Sequence, residues 1–354
     1  MNWTPFLLDN LPHAHGAPLG QATLRAVPED FQVDEIPGFE PSGEGEHLFL
    51  HIRKRNQNTA WVASQIARAL GLREDAVSYA GLKDRRAVTT QWFSVHIPNR
   101  QMPDLSAVWT DDIELLAHTW NNRKLKHGAH QGNRFVITLR DVSGDRDAIA
   151  QRLAVIAAQG VPNYIGPQRF GINNGNLTAG EALLAGKPKR RLNHREGLAL
   201  SAVRSALFNK VLGERIGLNG WAVQLPGDVL QLDGRNSFFR PDADDAALPE
   251  RLVRQDIHPT GPLFGARTSL VTDDVLALEE TVAAQAEGLV ERLARFGLDH
   301  QRRALRLHVR DLVSEWPEEG TLRLTFALPS GAFATSVLRE LVQLRESADA
   351  LPVE

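Results

Sequence analysis

Apolar and polar side chains alternate along the chain with two different periods, and the breaks between them outline its elements. Residues 20–40 alternate with the period of strands (Thr23, Leu24, Arg25, Ala26, Val27, then Phe31, Gln32, Val33), broken at Pro28. Across Asn58–Leu70 the spacing becomes helical: Trp61, Val62, Ile66 and Leu70 share a face, and Gly71 ends the helix. A short apolar run, Ala76–Ala80, leads into Gly81-Leu82-Lys83-Asp84-Arg85, and a second strand-like run, Gln91–Ile97, ends at Pro98. Lys83, Asp84 and Arg85 are therefore expected on a tight connection, where a scaffold presents side chains. Arg134–Leu139 reads as a strand, and Ala148–Gln159 as a helix stopped by Gly160.

The next stretch, Gly160–Gly175, is rich in Gly, Pro and Asn and is the first candidate domain boundary. Beyond it Asn193 is placed to cap a helix, with Glu196 reaching back from the third position. Leu200, Val203, Leu207 and Val211 line one face of that helix up to Gly217. Asp242–Glu250 reads as an exposed acidic loop and Asp256–Gly265 as an ordered loop. A helix over Thr272–Phe296, a strand over Leu322–Leu328 and a last helix over Ala334–Glu346 complete the pattern. No internal repeat or low-complexity segment interrupts it.

Composition changes this picture in a few respects. A length of 354 residues suggests about two domains. Lys and Arg number 40 against 43 Asp and Glu, a net charge of −3, which excludes binding through bulk positive charge but not a local basic face. The chain has no cysteine, so disulfides, a thiol nucleophile, thiolate zinc and iron–sulfur clusters are all excluded, and the reducing cytoplasm is the expected compartment. No run approaches the ~18 apolar residues of a membrane helix. The start, MNWTPFLLDN, lacks a cationic region and is interrupted by Pro5 and Asp9, so no signal peptide is expected and the N-terminus reads as the original one.

Candidate chemistry lies in two places. In Gly81–Gln91 (GLKDRRAVTTQ) a carboxylate stands between Lys83 and Arg85 on a turn, which suits a group that must be an anion when it attacks. An ion-paired surface turn would read the same. The window Leu115–Arg140 contains no Asp or Glu and carries Arg123, Lys124, Lys126, Arg134 and Arg140 among Trp120, three histidines and three asparagines. Cations neutralise phosphates, amides read base edges and aromatics stack on bases, so this mixture suits folded RNA better than a merely solvated face. A second basic run is Lys187-Pro188-Lys189-Arg190-Arg191. His118, His127 and His130 lack the fourth donor of a zinc site, and no metal is expected. Gly43-Glu44-Gly45-Glu46 would repel phosphate, and Ser330-Gly331-Ala332 lacks the pattern of a nucleophile elbow.

Gly81–Gln91 resembles the signature of the TruD family of tRNA pseudouridine synthases. So do Pro28–Glu35 (PEDFQVDE), Gly132–Phe135 (GNRF), Gly160–Gly171 (GVPNYIGPQRFG), Leu200–Asn209 (LSAVRSALFN), Asp256–Gly265 (DIHPTGPLFG) and Leu328–Leu341 (LPSGAFATSVLREL), all in the family's order and together spanning most of the chain. The resemblance implies isomerisation of uridine 13 of tRNA to pseudouridine, without cofactor or metal. Asp84 matches the family's catalytic aspartate. Phe31, Asn133 and Phe333 match positions that line its substrate pocket. Phe135 stands where many other pseudouridine synthases carry a tyrosine. Lys83, Arg85 and Arg339 are the candidates for the aspartate's cationic partner. Thr335 occupies a position that is basic in some sister families, which leaves that partner open.

The implied fold class is α+β. A catalytic domain with a mixed, mostly antiparallel sheet (residues 1–158 and 306–354) would be interrupted by an inserted α/β domain (residues 159–305), with RNA in the cleft between them. Lys189, Arg190 and Arg191 would lie in the insert, in reach of tRNA, with Arg123, Lys124 and Lys126 as further RNA contacts. tRNA is the expected partner of a monomer that needs no membrane and no obligate protein partner. The rival readings are a non-catalytic RNA-binding or folding module on the same fold and a metal-dependent RNA-processing enzyme.

Overall fold

The computed structural model describes residues 1–346 apart from 190, 243, 267 and 268. Its first part follows the alternating pattern. Strands β1 (Gln21–Leu24) and β2 (Phe31–Pro37) flank a 3₁₀ turn at Pro28–Asp30. Then come β3 (His47–Arg55), α1 (Thr59–Ala69), β4 (Ser78–Tyr79), β5 (Val88–His96), β6 (Ile113–Asn121), β7 (His130–Arg140) and α2 (Arg146–Gln159). Asn58 caps α1 by accepting from the Ala60 amide at 2.8 Å, and Asp145 caps α2 through Ala148 at 2.7 Å.

Strand β8 (Val161–Pro162) leads into a second group: α3 (Gly175–Ala185), α4 (His194–Gly217), β9 (Leu230–Leu232), β10 (Phe238–Phe239), α5 (Leu248–Val253), β11 (Ile257–Leu263), α6 (Asp273–Gln285), α7 (Leu289–Arg295) and β12 (Gln301–Ala304). The chain returns through β13 (Arg306–Leu307), which pairs antiparallel with β8, Val161 against Leu307. It closes with β14 (Arg310–Glu318), β15 (Thr321–Pro329), α8 (Ala334–Arg339) and β16 (Gln343–Glu346).

The main sheet has ten strands, with the path β14-β15-β7-β2-β5-β3-β6 and β1, β4 and β16 attached beside it. Its pairings are antiparallel except β2 with β5 and β1 with β16, so the fold is α+β with a mixed, mostly antiparallel sheet. Leu24, Phe31, Val33, Phe135, Ile137, Leu324 and Phe326 form its core with Ile149, Leu153 and Ile156 of α2, while Val62 and Ile66 of α1 pack with Leu50, Ile52 and Phe93. A second sheet, ordered β10-β9-β11-β12, belongs to the other group. There α4 is buried nearly all round, through Leu200, Val203, Phe208, Val211 and Arg215, as an internal helix must be. Its predicted capping box is present: Asn193 accepts from the Glu196 amide at 2.9 Å and Glu196 from the Asn193 amide at 3.0 Å. Among the described residues no helix is long and apolar enough to cross a membrane.

Four expectations are corrected. Asp256–Gly265 is not a loop: Pro259 and Pro262 signal a break, yet Ile257–Pro262 is wholly buried as β11, pressed so closely on α4 that a Cβ on Gly261 would meet Phe208 at 3.1 Å. The helix expected over Thr272–Phe296 is split into α6 and α7 where Glu287 and Gly288 turn to φ of +51° and +77°. The last helix ends at Arg339, because the chain finds a partner for β16 in β1, Gln343 against Gln21. Within the acidic loop, helix α5 begins at Leu248 with Pro249 in its first turn, where a missing amide costs nothing.

One buried side chain fastens the segment after β8. Asn209 of α4 accepts from the Ile165 amide at 2.8 Å and donates to the Ile165 carbonyl at 2.9 Å. Asn209→Ala leaves both backbone groups buried and unpaired, so urea unfolding should show a loss of about 2–4 kcal/mol. A loss below 0.5 kcal/mol, a threshold about that of an ordinary surface change, would show that the clamp contributes nothing.

Candidate active site

Residues 81–87 connect β4 to β5, and their backbone is held from behind. Gln91 donates to the Gly81 carbonyl at 3.0 Å, and Thr59 accepts from the Lys83 amide at 3.0 Å while donating to Gln91 at 2.9 Å. The Lys54 ammonium, fully buried, donates to the carbonyls of Gln57 at 2.7 Å and Asp84 at 3.0 Å. Burial pushes Lys54 down to about 8, against the pull of the Asp84 charge and with Lys83 adding to the drop. The Lys83 ammonium reaches Glu35 Oε2 of β2 at 2.8 Å, both side chains buried, and the other Glu35 oxygen accepts from the Trp92 amide at 3.2 Å.

With its backbone fixed, Asp84 projects a carboxylate that is 32% exposed. Arg25 Nη2 donates to Asp84 Oδ1 at 3.1 Å. The same guanidinium lies over the Phe31 ring, its Cζ 4.0 Å from the centroid. Phe31 meets Phe135 edge-on at 6.1 Å, and Phe135 stacks on Phe326 at 5.5 Å, so an aromatic row runs under the arginine. Arg25 has φ +58°, a left-handed backbone that a non-glycine residue adopts at a cost of order 1 kcal/mol or more. Gln168, exposed on the segment after β8, donates to Asp84 Oδ1 at 3.4 Å.

Asn133 of β7 stands opposite Glu35 in the sheet, and its Oδ1 is buried with no hydrogen-bond partner. An orphaned acceptor is rare enough to ask for a donor from a ligand. Phe333, half-buried at the start of α8, lies against the Gly166 backbone, where a Cβ would meet its ring at 3.4 Å.

Beside this loop lies a cleft of about 800 Å³ between the ends of the two sheets. One wall carries His130, Gln131 and Ser330, the other Asp233, Arg235 and Arg303. No residue of 81–87 lines it. His130 joins the two places: it bonds Ser330 Oγ at 2.9 Å, and its Cε1 sits 3.0 Å from where a Gly81 Cβ would be. Burial, with Lys83 adding, lowers the His130 pKa, so the ring is neutral at pH 7. Arg303, which burial pushes down to about 10, donates to Asn163 at 2.7 Å and to the Gly331 carbonyl at 3.1 Å.

The structure brings Asp84, Phe31 and Phe135 together through Arg25, and places Asn133 opposite Glu35. It does not bring the three candidate cations to the carboxylate. Lys83 is committed to Glu35; Arg85 is exposed and has no partner among the described residues; Arg339 donates to the Leu8, Leu11 and Pro12 carbonyls and to Glu340. The cation facing Asp84 is Arg25, which the sequence alone does not reveal because its contact spans 59 positions and no local spacing marks it. Gln168 is equally unmarked, although it lies inside the Gly160–Gly171 motif. Arg123, Lys124 and Lys126 are exposed on the β6–β7 connection, the two lysines lining a second groove with Tyr79 and His127. Lys189 and Arg191 are exposed ahead of α4, Lys189 paired with Glu196, while Arg190 lies outside the described residues. Among the described residues no three His, Asp or Glu side chains are grouped to hold a metal ion.

A single carboxylate gripped by a guanidinium on a mixed, mostly antiparallel sheet, next to a cleft closed by a second α/β unit, defines an α+β protein of the pseudouridine-synthase-like class. The family model of tRNA pseudouridine synthase D (TruD) matches residues 14–195 and 195–341, and the chain belongs to that family. It is 50% identical over 355 residues to the tRNA pseudouridine synthase D of Xanthomonas campestris pv. campestris (strain B100), covering 97% of each chain. The tRNA pseudouridine synthase D of Methylococcus capsulatus is 48% identical over 336 residues, 95% of each chain. Among solved structures, one reported under the name TruD from Methanosarcina mazei has the same fold, with a TM-score of 0.71 at 20% identity over 94% of this chain and 95% of that one.

The buried pair behind Asp84 has a measurable signature. Lys83→Met leaves the Glu35 carboxylate buried without its cation and should cost about 3–5 kcal/mol in denaturant unfolding, most of it recovered by Glu35→Gln/Lys83→Met. Equal stability of the single and double variants would contradict the pairing.

Proposed function

We propose that the protein converts uridine 13 of tRNA to pseudouridine, with Asp84 as the catalytic carboxylate and no cofactor. The observation that carries this reading is the Asp84 carboxylate itself: part-exposed, gripped at Oδ1 by Arg25, on a backbone that Lys54, Thr59 and Gln91 hold rigid. The reaction breaks the N1–C1′ bond, turns the detached uracil and forms C1′–C5; the proton lost from C5 is balanced by one gained at N1. Asp84 serves it by adding to C1′ or by deprotonating the ribose, and both routes need one oriented carboxylate at the sugar.

The remaining needs are a grip on the uracil and access to it. Phe333 and the Phe31–Phe135 row supply ring faces and apolar walls. Asn133 offers its unpartnered Oδ1 to the uracil N3–H. The uridine must leave its stack to reach them, as bases do for enzymes that act on them. Phe135 carries no hydroxyl, so the C5 proton needs another acceptor, for which Asp84 is placed.

In this reading residues 1–158 and 306–354 form the catalytic domain and 159–305 the inserted one. The pairing of β8 with β13 at the two crossings supports that division. The RNA lies along the cleft, with Arg123, Lys124, Lys126, Lys189, Arg190 and Arg191 on its backbone.

Wild-type protein should release tritium from [5-³H]uridine-labelled tRNA, and Asp84→Asn should reduce the rate by at least about 10³-fold with tRNA still bound. Wild type inert on every tRNA tried would end the enzyme reading in favour of an RNA-binding module; an active Asp84→Asn would end the residue assignment alone. Lys189→Ala/Arg191→Ala should weaken tRNA binding and flatten log Kd against log salt by about 0.7–0.9 for each phosphate no longer neutralised. An unchanged slope would move the RNA surface elsewhere.

A further inference from the structure

Both hydrogen bonds to the Asp84 carboxylate end on the same oxygen. Arg25 Nη2 at 3.1 Å and Gln168 Nε2 at 3.4 Å donate to Oδ1, and among the described residues no donor reaches Oδ2. The two donors come from different parts of the chain: Arg25 follows β1 of the main sheet, whereas Gln168 lies 84 residues beyond Asp84, past β8. A carboxylate on a short side chain turns freely about its last torsion. One donor would leave its plane undetermined; two donors converging on one oxygen fix it.

The backbone carrying Gln168 is pinned from both sides. Asn209 of α4 holds both backbone groups of Ile165. Ser336 of α8 donates to the Tyr164 carbonyl at 2.8 Å, and Arg303 holds the Asn163 side chain at 2.7 Å. After Gln168, Asn176 donates to the Arg169 carbonyl at 3.0 Å, and Gly171 turns the chain at φ +74° into the approach to α3. An amide at this place adds a donor without adding charge, so it orients the carboxylate and leaves its balance with Arg25 unaltered.

We infer that Gln168 is a positioning residue that turns the Asp84 carboxylate so that Oδ2 faces the substrate, and that makes this orientation depend on the docking of the segment after β8. The inference rests on Asp84 being the reacting carboxylate, as proposed above. It gives the GVPNYIGPQRFG motif a task at the site: the same rigid segment joins α4, α8 and the carboxylate.

The test is single-turnover pseudouridine formation at saturating tRNA, with tRNA Kd measured by filter binding. Gln168→Ala should lower the rate constant about 10–100-fold, the usual cost of a misplaced reacting group, with Kd within about twofold of wild type. Gln168→Glu, nearly isosteric, puts a like charge against Asp84 at neutral pH and should be slower still. As pH falls from about 8 to 5.5 its carboxyl protonates and becomes a donor to Oδ1. The rate of Gln168→Glu relative to wild type should therefore rise on acidification, while that of Gln168→Ala stays flat. A residue that only shapes the segment would give no such dependence. Gln168→Ala at the wild-type rate, a loss confined to Kd, or a flat ratio for Gln168→Glu would each overturn the inference. A wild type that forms no pseudouridine would instead bring down the proposed function.

Discussion

The buried ion pair between Glu35 and Lys83 is the constraint around which the site is arranged. Glu35 sits at the middle of the main sheet, opposite Asn133 in β7 and bonded through its second oxygen to the Trp92 amide in β5. A buried pair of this kind adds little net stability, since desolvation offsets most of the attraction, but it tolerates no rearrangement. It decides which way the connection faces. With Lys83 drawn inward to Glu35, the next side chain, Asp84, turns outward to Arg25 and Gln168. Lys54 completes the arrangement by committing a buried ammonium to two backbone carbonyls, one of them that of Asp84. The cationic neighbour in sequence is thus the anchor, and the cation that meets the carboxylate comes from elsewhere.

The same logic of buried charge joins the two units. Asp233, after β9, bonds His258 of β11 and, across the junction, His308 and Arg310 that follow β13. Burial works against its charge, yet the hydrogen bonds from His258, His308 and Arg310 hold its carboxyl well below the usual range. Asn209 and Arg303 add neutral and cationic clamps on the segment after β8. A net charge of −3 therefore conceals an uneven distribution: anions are drawn into pairs at the junction, while Arg123, Lys124, Lys126 and Arg191 stay exposed.

Local signals in the sequence carried the elements whose causes are local. The Asn193–Glu196 capping box, the stop at Gly160 and the turn bearing Asp84 all depend on neighbours within a few positions, and all are present. What escaped depends on distant partners. Strand β11 carries two prolines and reads as a loop until α4 and β12 close over it. Strand β16 reads as a continuation of α8 until β1 offers a parallel edge more than 300 residues away, Gln21 against Gln343. Helices α6 and α7 share one apolar period, and two left-handed residues divide them. The site follows the same division. Asp84 was legible from its own loop and from family resemblance, but the identity of its cation was not, because proximity in sequence to Lys83 and Arg85 says nothing about where a sheet sends them.

Why that cation is an arginine follows from the geometry around it. Arg25 performs two tasks at once, lying flat at 4.0 Å over Phe31 and donating at 3.1 Å to Asp84. A guanidinium can stack through its face and bond through its edge; an ammonium can do only one of these well. The left-handed backbone at Arg25 directs the side chain there, and such strain persists only where the flanks over-determine it. Here they do. Before Arg25, Leu24 is locked in β1 against Leu139 of β7. After it, the Val27 amide bonds Asp30, whose buried carboxylate is gripped by Arg140 through Nε and Nη2, with the shortest contact at 2.8 Å. The Pro28–Glu35 motif is thereby explained residue by residue: Asp30 fixes the turn that aims Arg25, Phe31 supports its guanidinium, and Glu35 anchors the loop that presents Asp84 to it.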